Sequence, residues 1–152
     1  MNEVARCVSD MRDIATVTDI VDWELLRAKA IQAARGAYAP YSRFPVGAAA
    51  LVDDGRIITG CNVENVSYGL GLCAECGVVC ALHSTGGGRL LALACVDGTG
   101  SPLMPCGRCR QVLLEHGGTD LLIDHSDGPR RLGDLLPDAF GPDDLARRER
   151  RP

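Results

Sequence analysis

The chain lacks the features a membrane-bound or secreted protein needs. No apolar run approaches the roughly 20 residues that span a bilayer. The first 19 residues carry charges of both signs and no apolar block before a small-residue cleavage site, so no secretory leader is expected. Positive charge is not in excess either: 16 Lys and Arg face 20 Asp and Glu, for a net charge of −4. That balance argues against a partner held through phosphate contacts, and so against nucleic acid. Aromatic residues are few, with only two phenylalanines. The remaining composition, 46% hydrophobic and 24% charged, is that of an ordinary globular protein, and 152 residues suit one domain. A cytoplasmic protein with no membrane and no nucleic-acid partner is expected.

What the chain has is eight cysteines. Outside an oxidising compartment, metal binding is a better default for them than disulfide formation. Four fall in two short windows, Cys73-Ala74-Glu75-Cys76 and Pro105-Cys106-Gly107-Arg108-Cys109. Read as two C-x-x-C pairs, they make a closed four-thiolate zinc site. Read as Cys73, Cys106 and Cys109 alone, they make a three-thiolate site with one position open to water. Glu75 is then a carboxylate beside the metal but not bound to it, able to carry protons. The second pattern resembles that of the zinc nucleobase deaminases. The cysteines by themselves leave both arrangements standing. Cys80 and Cys95, in apolar segments, read as small buried hydrophobes.

Periodicity places these windows on a fold. A helix is expected over residues 22–35, capped by Asp22, with Leu25, Leu26, Ala30, Ile31 and Ala34 as its apolar stripe. Residues 46–52 and 56–63 read as a β-hairpin turning at Asp53-Asp54-Gly55. A loop over 64–72 precedes an apolar helix over 73–85, closed by three glycines. A strand over 90–96, a helix over 107–116, a strand over 121–124 and a helical turn over 132–136 follow. Strands that alternate with helices pair in parallel, so the late part of the sheet is expected parallel and the whole sheet mixed. Residues 1–20 read as a flexible extension, 21–140 as the domain and 141–152 as a charged, disordered tail. Both cysteine windows sit at helix starts, where unpaired N–H groups and the helix dipole favour thiolates.

Six segments carry a wider resemblance. They are Tyr38-Ala39-Pro40-Tyr41-Ser42-Arg43-Phe44, Val46-Gly47-Ala48-Ala49, Gly60-Cys61-Asn62-Val63-Glu64-Asn65-Val66-Ser67-Tyr68, Cys73-Ala74-Glu75, Pro105-Cys106-Gly107-Arg108-Cys109-Arg110-Gln111, and Leu135-Leu136-Pro137-Asp138-Ala139-Phe140. In this order they resemble the small homotetrameric zinc-dependent cytidine deaminases of pyrimidine salvage. The resemblance implies a three-layer α/β/α fold with a mixed five-stranded sheet. It implies one Zn²⁺ per subunit on Cys73, Cys106 and Cys109, with Glu75 as the catalytic proton carrier. It implies that Asn62 and Glu64 bond the ribose hydroxyls, that the Ala74 backbone holds the pyrimidine carbonyl, and that Phe44 lies near the nucleoside. Phe140 is implied to stack on the base in a neighbouring subunit's site. Cytidine and deoxycytidine are the implied substrates.

One position departs from the family pattern: Cys76 stands where the family commonly has an arginine that compensates the thiolate charge. Arg110 is then expected to donate to a cysteine sulfur in its place, with Arg108, between two ligands, as an assisting charge. A related deaminase of another aminated pyrimidine, and a purely structural zinc module closed by Cys76, are the alternative functions. Tyr68 reads as a subunit contact, and His83, His116 and His125 lie outside every motif.

Overall fold

The computed structural model describes residues 20–149. Except for Ile20, the expected N-terminal extension lies outside the described residues. Helix α1 (Trp23–Ala34) begins where Asp22 Oδ1 accepts from the Leu25 N–H at 2.9 Å, and it buries Leu26, Ala30 and Ala34 on one face. Strands β1 (Val46–Val52) and β2 (Ile57–Cys61) form the hairpin. A 3₁₀ turn at Tyr68–Leu70 leads to helix α2 (Ala74–Ser84), followed by β3 (Leu90–Asp97) and helix α3 (Gly107–Gly117). Then come β4 (Leu122–Ile123), β5 (Arg130–Arg131), the short α4 (Leu132–Leu135) and α5 (Pro142–Glu149).

The five strands lie in the order β2-β1-β3-β4-β5. β1 is antiparallel to both neighbours, β3 and β4 are parallel, and β5 returns antiparallel. The sheet is therefore mixed, with its parallel pair late in the chain. Alternation along the strands divides the core in two. Ala48, Ala50, Val52, Leu93 and Cys95 face α2 and α3, packing with Ala74, Val78, Leu82 and Leu113. Ala49, Ala92, Ala94 and Val96 face α1, packing with Leu26 and Ala30. Helices thus cover both faces, in three layers.

Small residues set how close the helices come. At Gly60 in β2, a Cβ would overlap Ala74 O and Val78 N of α2, and at Gly47 in β1 it would overlap Ala30 O and Ala34 N of α1. Gly60 matters most, because it seats the first turn of α2, where the first cysteine window lies.

Two expectations are corrected, and one strand escapes the periodicity. The two-residue strand β5 has no apolar alternation to reveal it, since it is a charged edge strand. Cys80 is exposed, because Val78 and Leu82 take the inward face of α2 and position 80 points away; Cys95 is buried as expected. The tail is helical over Pro142–Glu149 rather than disordered. Proline suits the first helical position, and Asp143 and Asp144 complement the dipole. Asp144 Oδ2 reaches back to the Gly141 N–H at 2.9 Å, the return half of a capping box.

Gly60→Ala pushes against helix backbone, which cannot swing aside. It is expected to lower stability by about 1–3 kcal/mol in urea unfolding. Gly69→Ala, where an added Cβ meets nothing within 4 Å, is expected to stay within about 0.5 kcal/mol of the parent. Equal effects would contradict this account of how α2 is seated.

Candidate active site

Two helix starts meet above β1 and β3. Cys73 occupies the N-cap of α2 and Cys106 the N-cap of α3, each with extended backbone (ψ 159° and 166°). Cys109 follows in the first turn of α3. The three sulfurs lie within 4.8 Å of one another, with Cys73 Sγ and Cys106 Sγ 3.9 Å apart. A tetrahedral zinc with Zn–S of about 2.3 Å separates its sulfurs by about 3.8 Å, so the residues present fit that ion.

Cys76 is not part of this cluster. Its sulfur instead faces Arg108, whose Nη2 lies 3.8 Å away while Nη1 donates to Gly71 O at 3.3 Å. The closed four-thiolate arrangement does not fit; the open three-thiolate one does. A guanidinium from α3 thus rests against Cys76, the position where the family resemblance leads one to expect an arginine. The expectation for Arg110 is overturned. Its Nε donates to Pro105 O at 2.9 Å and its Nη1 to Leu135 O at 2.8 Å, so it ties the loop and α4 to α3 and bonds no sulfur.

The electrostatics of the thiols suit a cation. Burial pushes the Cys73 thiol up, with the Cys106 and Glu75 charges adding to it against a hydrogen bond from Cys109. Burial, then Glu75 and Cys73, push Cys109 up further. Cys106 is drawn down: burial opposes its ionisation, but the Cys109 N–H and the thiols of Cys109 and Cys73 outweigh it. Thiols that resist ionising together give up their protons to a dication, which neutralises the crowding.

Cys73 and Cys106 open into a cleft of about 510 Å³, a size typical of small-molecule sites. Cys73, Ala74, Glu75 and Cys106 form one part of its wall, and Asn62 and Glu64 another. Glu75 is only 3% exposed. Asn62 Oδ1 accepts from the Val46 N–H at 2.8 Å and its Nδ2 donates to Phe44 O at 3.0 Å. Glu64 Oε2 accepts from the N–H groups of Tyr41 and Ser42. The Ser42 side chain, with those two N–H groups, holds the Glu64 carboxyl below the usual carboxylate range, so it is ionised at neutral pH.

Phe44 and Phe140 do not line the cleft; they are 47% and 61% exposed. Tyr68 does line it, and packs against Tyr41 with ring centroids 5.9 Å apart. Leu103 and Met104 supply an apolar wall that sequence reading missed. Its signal was an apolar pair immediately before Pro105.

The separation of Cys76 from the cluster has a direct test. Cys76→Ser is expected to keep the zinc of this cleft on three sulfur ligands, counted by X-ray absorption on protein carrying that one equivalent. Four sulfurs in the parent protein, or zinc lost from the variant, would restore the closed site.

Known proteins share this arrangement over most of the chain. The family model for the cytidine and deoxycytidylate deaminase zinc-binding region matches residues 22–123. The cytidine deaminase of Mycobacterium tuberculosis is 82% identical over 130 residues, covering 86% of this chain and 98% of that one. The cytidine deaminase of Halalkalibacterium halodurans is 43% identical, covering 82% and 98%. The crystal structure of cytidine deaminase from Mycobacterium leprae superposes with a TM-score of 0.76 at 58% identity, over 78% of this chain and 99% of that one. With three thiols at zinc spacing and a buried glutamate between them, this chain belongs to the zinc-binding cytidine and deoxycytidylate deaminase family.

Proposed function

We infer that the protein hydrolyses cytidine to uridine and ammonia. The observation that carries this is a buried carboxylate, Glu75, in a cleft lined by two of three thiols at zinc spacing, the third (Cys109) buried behind them. Held by Cys73, Cys106 and Cys109, zinc supplies the Lewis acidity that makes water a nucleophile near neutral pH.

Glu75 does the proton work. It takes a proton from water and delivers it to N3 of the pyrimidine, which leaves C4 electron-poor. The water oxygen bonds to C4, and the bond from C4 to the amino nitrogen breaks. Glu75 passes the second proton to the departing amine, so water and cytidine balance against uridine and ammonia. Its attachment to the first turn of α2 supports this role, because the carboxylate stays beside the reacting carbon throughout.

Glu64 and Asn62 recognise the ribose. Their bonds to the Phe44–Val46 segment and to Tyr41 and Ser42 aim both side chains, and each keeps further hydrogen-bonding capacity. A site built to bond hydroxyls discriminates against ligands that lack them. Ala74, in the first turn of α2, presents a backbone N–H with no partner in its own helix, suited to the pyrimidine carbonyl. Deoxycytidine is the second substrate, and the role is nucleoside salvage in the cytoplasm. The enzyme works as a homotetramer. Support comes from the exposed Phe44, Val66, Tyr68, Leu70 and Phe140, large apolar side chains that contact between subunits would cover. Phe140 completes the site of a neighbouring subunit, stacking on the base.

The inference is tested by ultraviolet absorbance of cytidine, with ammonia measured in parallel. Glu75→Gln is expected to lower kcat by about 10²–10⁴-fold while zinc content stays at that of the parent. Full turnover in this variant would remove Glu75 from the chemistry, and no turnover by the zinc-loaded parent would sink the substrate assignment. Phe140→Ala is expected to raise KM with zinc and the unfolding midpoint unchanged. An unaltered KM, or a monomeric mass in sedimentation, would remove Phe140 from a shared site.

A further inference from the structure

Away from the cleft, two histidines that belong to no motif lie face to face. His83 sits in the last turn of α2 and His116 in the last turn of α3. His83 Nε2 and His116 Nδ1 are 3.3 Å apart, with ring centroids at 4.9 Å and an edge-on angle of 72°. Each follows the cysteine at its own helix start by the same interval, 73 to 83 and 106 to 116. The two helices therefore run side by side in the same direction, sulfur meeting sulfur at one end and imidazole meeting imidazole at the other. At 1.5 Å per residue the ends are about 15 Å apart, so this pair is a separate place from the cleft.

We propose that His83 and His116 form a second metal site, which takes Zn²⁺ on two imidazole nitrogens. Tetrahedral zinc with Zn–N of about 2.0–2.1 Å separates two nitrogens by about 3.3–3.4 Å, and the observed spacing matches that. Octahedral geometry at similar bond lengths needs about 3.0 Å between neighbours, a poorer match. Imidazole favours zinc, copper and nickel over calcium or magnesium. Both helices direct the partial negative charge of their C-terminal ends toward the pair, which favours a cation there. His83 is exposed and His116 half-buried, so water can reach the remaining coordination positions. Burial, with the neighbouring His83, lowers the pKa of His116 and keeps it neutral, as a ligand must be.

Without metal, the two rings share one hydrogen bond. On binding zinc, the ring that donated that bond shifts its proton to its far nitrogen, so His83 carries its proton at Nδ1 and His116 at Nε2 and no proton is released. Among the described residues the three thiols form the only larger cluster of potential ligands, so the histidine site offers two protein ligands and is weaker and more exchangeable than the first. Exposed Cys80, one turn before His83, is the competing ligand to exclude.

The test uses the full-length protein carrying its first zinc, dialysed against graded Zn²⁺ with bound metal counted by atomic absorption. A second equivalent is expected in the parent and is lost in both His83→Ala and His116→Ala. The variants keep the first equivalent and parental turnover. Added zinc is expected to raise the melting temperature of the parent alone, since a ligand that binds only the folded state stabilises it. A single equivalent in the parent overturns the proposal. So does a second equivalent that survives either substitution, or one lost only in Cys80→Ser. The first equivalent is counted separately, so these outcomes do not depend on the deaminase assignment.

Discussion

Two helices begin at one point over the sheet, and the chemistry of the cleft depends on that meeting. Cys73 and Cys106 each occupy an N-cap, and Cys109 lies in the following turn. Three sulfurs within 4.8 Å repel one another when ionised. Two helix dipoles and a dication together make such a cluster tolerable. Glu75 adds a fourth negative group and raises the thiols it faces. The site is thus electrostatically incomplete without metal, and the carboxylate proposed to carry the protons is part of the reason.

The meeting is enforced by packing. Gly60 lets α2 settle onto β2 with backbone almost touching backbone. Arg110 ties the first turn of α3 to the Pro105 carbonyl on one side and to Leu135 on the other. Gln111 extends the same tie to the Phe140 carbonyl at 2.7 Å. The helix that carries two of the sulfurs therefore also anchors the segment that presents Phe140 to solvent. Metal site and C-terminal aromatic are mechanically linked, with a cation that bonds backbone oxygens rather than sulfur.

Much of this was legible in the chain. Asp22, the hairpin turn at 53–55 and the glycines after residue 85 mark element ends by local backbone chemistry, which needs no neighbours. The strand over 46–52 was clear because its apolar run is bounded on both sides by turn residues. Edges were harder. Residues 130–131 pair with β4 through backbone bonds alone, and a short charged strand has no hydrophobic pattern to expose it. The helix over 142–149 was hidden by its charge, because a run of Asp and Arg reads as solvated chain until the Gly141–Asp144 capping bond is seen.

The sequence by itself determined the ligand types, their spacing within each window and the helix starts that hold them, because these are set by residues a few positions apart. It could not choose between three sulfurs and four. Cys76 stands at the same C-x-x-C offset from Cys73 as Cys109 does from Cys106, and only the angle between two packed helices decides which sulfurs converge. That Arg108 rather than Arg110 meets a sulfur has the same origin. Two positions along a helix turn a side chain by about 200°, so one guanidinium crosses to Cys76 while the other reaches the carbonyls of Pro105 and Leu135. The meeting of His83 and His116 is likewise tertiary. Thirty-three positions separate them, and what brings the rings together is the parallel packing of two helices that start at the same cluster of sulfurs.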